Sequence, residues 1–245
     1  IWATDRNVMR FHLRVIYGIT RCKVFGVPLE NLPRRYIPEF GLVPCFLVDA
    51  CSLLLERAGT VGLFRKPGSL PRIKIIRVKL NRGEGCLSTS LPYDVSTLIK
   101  QFCRELPEPL FPSELHAALL KAQALSDPQD RTSALQLLSC LLPARNSSCL
   151  HYLFDFLSKI SQRCSENLMT SSNLATVFAP CLYLLQTRRK CPRDDLNSEF
   201  WSFAPSLKIL TYSVTNRSFS HILMSDFFLC RLEIERCFPF ARCDS

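Results

Sequence analysis

Val95, Leu98, Ile99, Phe102 and Leu106 recur at steps of three and four residues and stop at Pro107-Glu108-Pro109. That spacing sets five apolar side chains on one face of a helix. The prolines end it sharply, since each lacks an N–H and restricts the residue before it. Lys100 and Arg104, four residues apart, share the opposite face. Such a helix is stable only when other elements cover its apolar stripe. The chain supplies them as further helical segments. Residues 43–57 place Val43, Phe46, Leu47, Ala50 and Leu54 at helical spacing, with Pro44 in the first turn. Helices are also predicted over 113–124, 131–142, 148–163 and 171–178, with breaks at Asp127-Pro128, Pro143 and Pro180. Residues 70–80 are two-faced: Ile73, Ile76 and Leu80 fit a helical stripe, whereas Ile76 to Leu80 alternate like a strand. The early Pro71 and late Gly83 favour a helix. A short helix over 8–16 exposes Arg10 and Arg14, and the stretch from Phe25 to Pro38 reads as extended and turn-rich. No series of alternating strands and turns appears, so the fold class is all-α.

The net charge of +10 is unevenly spread. Arg57, Arg65, Lys66, Arg72, Lys74, Arg77, Lys79 and Arg82 fall between residues 57 and 83 with no acid among them. An anionic partner follows: an acidic protein surface, a nucleotide, nucleic acid or a membrane. No apolar run is long enough to span a bilayer. Asp5 and Arg6 come too early for the apolar region of a signal peptide, and a start at Ile1 is expected of a fragment or a processed chain. The 13 cysteines form no CxxC pair and no zinc-ligand spacing, and several fall inside apolar segments. They read as reduced, buried thiols of a cytoplasmic or nuclear protein rather than disulfides. His12, His116, His151 and His221 form no ligand cluster, so no metal site is expected. Neither a P-loop nor GxGxxG occurs, and neither does a nucleophile elbow or HExxH. Glu105 and Glu108 flank a helix end without pairing as acid and base, and they could pair with Lys100 and Arg104. A metabolic enzyme is therefore not expected.

Gly62-Leu63-Phe64-Arg65-Lys66-Pro67-Gly68-Ser69 has the character of a tight loop. Leu63 and Phe64 can anchor one side in a core, the glycines let the backbone turn, and Pro67 stiffens it. Ser69 is a candidate N-cap for the next helix. Arg65 sits between these constraints. A loop arginine is usually a solvated surface charge; a rigidly held one also suits insertion into a phosphate site on another molecule.

Four stretches, in this order, resemble a RhoGAP domain: Phe25-Gly-Val-Pro-Leu29, the octapeptide from Gly62, Leu98-Ile-Lys-Gln-Phe-Cys-Arg-Glu-Leu-Pro-Glu-Pro-Leu110, and Asn173-Leu-Ala-Thr-Val-Phe-Ala-Pro-Cys-Leu182. Shorter phrases around Phe40, Gly83 and Leu115 are similar to the Rho GTPase-activating protein 11 group of that family. The resemblance implies a bundle of about eight or nine helices that binds a Rho-type GTPase in its GTP state and speeds hydrolysis. It implies RhoA-type targets first, with GTP and magnesium held by the partner, so that the domain needs no cofactor. Arg65 then stands at the arginine-finger position. Lys100 and Arg104 stand at the pair that supports the finger loop and faces the GTPase switches. Cys181 stands where the family usually has a GTPase-contacting asparagine, and a thiol cannot make an amide's hydrogen bonds. The loss of that bond would favour the alternative reading, a module that binds a GTPase without accelerating it. Pro67 also departs from the small polar residue usual there.

The expected organisation is an N-terminal helix and linker over 1–24, the RhoGAP-like domain over 25–187, and a divergent tail over 188–245. Nucleic acid is not expected as a partner, because the basic stretch lacks interleaved aromatics. Membrane contact is expected only through the partner or the basic face.

Overall fold

A computed structural model describes residues 23–183. The helix predicted over 8–16 and the tail from 188 lie outside those residues. A 3-10 turn at Leu29–Asn31 leads into a two-stranded antiparallel hairpin, β1 (Arg34–Ile37) and β2 (Gly41–Pro44), in the register Arg34↔Pro44 to Ile37↔Gly41. The stretch read as extended therefore folds back on itself. Gly41 makes the return at φ +77°, a conformation that costs glycine little.

The helices are α1 (Cys45–Glu56), α2 (Leu70–Asn81), α3 (Pro92–Glu105), α4 (Ser113–Gln123), α5 (Pro128–Cys140), α6 (Ala144–Ser161), α7 (Cys164–Asn167) and α8 (Ser171–Tyr183). The architecture is a helical bundle with little strand. The two-faced segment is helical as α2, because Ile73 and Ile76 are both buried on one side of it. Several boundaries differ from expectation by a few residues, α6 beginning at Ala144 rather than 148, and two of them for identifiable reasons. α5 starts at Pro128 because the Asp127 carboxylate accepts the Asp130 N–H at 2.8 Å and the proline occupies the first turn. α8 runs through Pro180 instead of stopping there. Its ring faces solvent, while Phe178, Cys181 and Leu182 on either side are buried and hold the helix together. α7 carried no sequence signal; it ends at Leu168 in the left-handed region, φ +60°.

α3 is the central helix, packed against α1, α2 and α8. Val95, Leu98, Ile99, Phe102 and Leu106, the stripe read from spacing, are all buried. Ring contacts tie the ends of the core together. Phe46 of α1 lies 5.3 Å from both Phe25 and Phe102, and Phe64 lies 5.0 Å from Phe178 of α8 and 6.0 Å from Phe156 of α6. Among the described residues, Cys45, Cys51, Cys86, Cys103, Cys140, Cys149, Cys164 and Cys181 form no disulfide.

Candidate functional site

Residues 57–69 connect α1 to α2, and the core fixes this loop from inside. Phe64 is 0% exposed yet sits at φ +68°, where a non-glycine residue is strained. Its ring contacts with α6 and α8 offset that strain. Gly62, at φ +73°, opens a tight turn in which its carbonyl accepts the N–H groups of Arg65 at 3.0 Å and Lys66 at 2.9 Å. Leu63 and Phe64 point into the core while Arg65 is turned out to solvent. Among the described residues, the Arg65 side chain has no hydrogen-bond or ion-pair partner.

Three sets of polar contacts hold the loop. On one flank, the Gly62 N–H donates to the Asn167 carbonyl at 2.8 Å. The fully buried Asn167 amide in turn donates to the carbonyls of Ala58 and Ile160 and accepts the Met169 N–H. On the other flank, Asp94 of α3, 1% exposed, accepts the Ser69 N–H at 2.8 Å and pairs with Arg72 at 2.7 Å. Beside it, Thr97 accepts the Gly68 N–H at 3.1 Å, and the Tyr93 hydroxyl donates to the Val61 carbonyl at 2.9 Å. In the middle, Lys100 Nζ donates to the Phe64 carbonyl at 2.6 Å. Ser69 does precede α2, but its side chain makes no cap; the Asp94 carboxylate satisfies its N–H instead.

Lys100 therefore touches the residue preceding Arg65. Burial lowers its pKa below the ordinary lysine value; negative charge on Cys181 would oppose that shift and Arg104 adds to it. Arg104, one turn further along α3, is half-buried and donates through Nε to the Lys100 carbonyl at 3.3 Å. Cys181 is only 4% exposed, and its Sγ lies 3.5 Å from the Val177 carbonyl of its own helix. Lys100 thus connects the residue before Arg65 to Arg104 and lies close enough to Cys181 for their charges to interact. Glu105 does not join them: it forms a two-pronged pair with Arg77 of α2, at 2.6 and 2.7 Å, and that guanidinium stacks 4.3 Å above Phe25. Asp94, Thr97 and Asn167 were not singled out from sequence. Asp94, Thr97, Lys100 and Arg104 recur at steps of three and four, so the spacing that identified the last two already contained the first two. Asn167 left no comparable signal.

The site groups cations, and the exposed one, Arg65, sits on a loop held from the core and from both flanks. Among the described residues, the nearby carboxylates Asp94 and Glu105 are paired with Arg72 and Arg77. Such an arrangement can stabilise an anionic group brought to it. A RhoGAP domain family model matches residues 44–187, and the chain belongs to the RhoGAP family. Rho GTPase-activating protein 11A of Homo sapiens is 46% identical over 219 residues, which is 80% of this chain and 21% of that protein. Rho GTPase-activating protein 6 of Mus musculus is 38% identical over 160 residues, 59% of this chain and 16% of that protein. The chain thus spans about a fifth of the length of these relatives. The crystal structure of human Rho GTPase-activating protein 15 superposes with a TM-score of 0.68 at 26% identity, covering 85% of this chain and 96% of that one.

Proposed function

We propose that this chain is a GTPase-activating domain for Rho-family small GTPases, with Arg65 as its arginine finger. The observation that carries the reading is the Lys100–Phe64 hydrogen bond beneath an outward Arg65 without a partner among the described residues. It fixes the height of a guanidinium that nothing in the described domain uses.

The reaction is phosphoryl transfer from GTP to water, split between two proteins. The GTPase supplies nucleotide, magnesium and the residue that orients water. Arg65 reaches the β- and γ-phosphate oxygens and stabilises the charge that develops as the bond to the γ-phosphorus breaks. In the related Ras system such an arginine contributes about 10³–10⁵ in rate. A planar guanidinium can bridge two oxygens where a lysine presents one point charge. Lys100 supports the loop and, with Arg104, faces the GTPase. The partner is in its GTP state and is RhoA-type before other Rho members. The setting is cytoplasmic or nuclear.

Single-turnover GTP hydrolysis by Rho-family GTPases, with and without the full chain, tests the reading. Stimulation that vanishes in Arg65→Ala while binding persists supports it; near wild-type stimulation by that variant overturns the finger assignment. A second reading, a module that binds a GTPase without accelerating it, draws on Cys181, a buried thiol at a position where an amide is usual. Binding without stimulation by the wild-type chain favours it.

A further inference from the structure

α2 has apolar residues on both faces. Ile73 and Ile76 face the core, whereas Leu70, Ile75 (57% exposed) and Val78 (49%) stand in water. At 100° per residue, Pro71, Ile75 and Val78 lie on the side opposite the buried stripe, with Lys74 and Lys79 flanking them and Arg82 at the C-terminal end. Ile75 and the exposed Leu91, just before α3, line one cavity of about 160 Å³ whose other walls include the polar Arg72, Lys79 and Asp94. A helix that is apolar outside as well as inside needs a second partner for its outer face. Charge decides which. α2 carries no acid, and Lys74 and Lys79 form no ion pair among the described residues. Its other cations are occupied: Arg72 by the buried Asp94, Arg77 by Glu105, and Arg82 loosely by Glu84 at 3.9 Å.

We propose that the outer face of α2 docks on an anionic phospholipid surface. Lysines flanking a strip of aliphatic side chains suit a helix lying in the headgroup plane: the aliphatics enter the acyl boundary while the ammonium groups stay at the phosphates. A nucleic acid would leave Ile75 and Val78 against phosphate, with no aromatic on this face to stack on a base. The face bears none of the residues that hold the Arg65 loop except Arg72 at its edge. This inference does not depend on the GTPase-activating reading.

Sedimentation of the full chain with vesicles tests it, using phosphatidylcholine alone and phosphatidylcholine mixed with phosphatidylserine. Binding is expected only to the mixed vesicles and is expected to weaken with added salt. Lys74→Ala with Lys79→Ala weakens it about 25-fold, taking about fivefold per lysine. Ile75→Ser with Val78→Ser, which leaves the charge unchanged, weakens it at least about tenfold. All four side chains are exposed, so melting temperatures stay near wild type, and stimulated GTP hydrolysis in vesicle-free solution is unchanged. The proposal is overturned by failure to bind the mixed vesicles, by equal binding of both double variants and wild type, or by loss in the lysine variant alone. That last result marks a surface for a polyanion or acidic protein rather than for lipid.

Discussion

The Lys100 ammonium donates to the Phe64 carbonyl at 2.6 Å, so the helix bearing the cationic face also grips the residue just before Arg65. A contact of this kind couples loop position to helix position. Losing it loosens the loop without opening the core, because Phe64 remains packed on Phe156 and Phe178.

Lys100→Met keeps the aliphatic stem and removes the donor. Stimulated hydrolysis is expected to fall about tenfold or more, from the loss of a charged hydrogen bond worth about 1–3 kcal/mol. The melting temperature is expected to move little, since the variant also removes a charge that burial disfavours. A large loss of stability with unchanged stimulation would show that the contact serves folding instead.

The lowered pKa of Lys100 has a definite sign in stability. Below that pKa, Lys100 is charged in both folded and unfolded chains, and the cost of burying the charge is fully present. Between it and the ordinary value of 10.5, the unfolded chain binds the extra proton, so this group's contribution to stability rises with pH. Denaturant midpoints of wild type minus Lys100→Met, measured at rising alkaline pH, should move in favour of wild type. Movement the other way would show that Lys100 gains rather than loses by being charged.

Gly68 and Gly83 make opposite demands. A Cβ on Gly68 would lie 2.5 Å from Asp94 Oδ1, 2.7 Å from Asp94 Cα and 2.8 Å from the Tyr93 carbonyl, so α3 and the loop before α2 must part to admit it. A Cβ on Gly83 meets nothing within 4 Å, and only its φ of +72° resists substitution. Gly83→Ala should cost about 1–2 kcal/mol. Gly68→Ala should cost at least as much, about 1–3 kcal/mol or more, and should also lower stimulated hydrolysis through the displaced Arg65 loop. Denaturant titrations and hydrolysis assays on both variants check this; equal activity in the two would mean that the loop is not positioned by Asp94.

Cys181→Asn supplies an amide beside Lys100 where the chain has a thiol. If the position faces the GTPase, the substitution should raise stimulation or binding about tenfold, matching one recovered hydrogen bond of about 1–3 kcal/mol. No change in either assay would remove Cys181 from the site.

Much of the fold was legible because α3 announces itself twice, by its apolar stripe and by the proline pair that stops it. The same spacing rule located α1, α4 and α6 within a few residues. It misjudged α8, since Pro180 in isolation reads as a stop, and only burial on both sides of it keeps the helix intact. It was silent on α7 and on the hairpin, whose pairing joins Arg34 to Pro44 across a turn that no local periodicity encodes.

Within the candidate site, the residue types and their order along the chain were fixed by sequence: an arginine in a glycine-bounded loop, and a lysine and an arginine one helical turn apart. Distance could not be. That Lys100 meets Phe64, that Asp94 rather than Ser69 satisfies the start of α2, and that Glu105 goes to Arg77 depends on which elements pack side by side. Local propensity acts over a few residues, whereas these contacts join positions 25 to 36 residues apart and exist only once the core has closed.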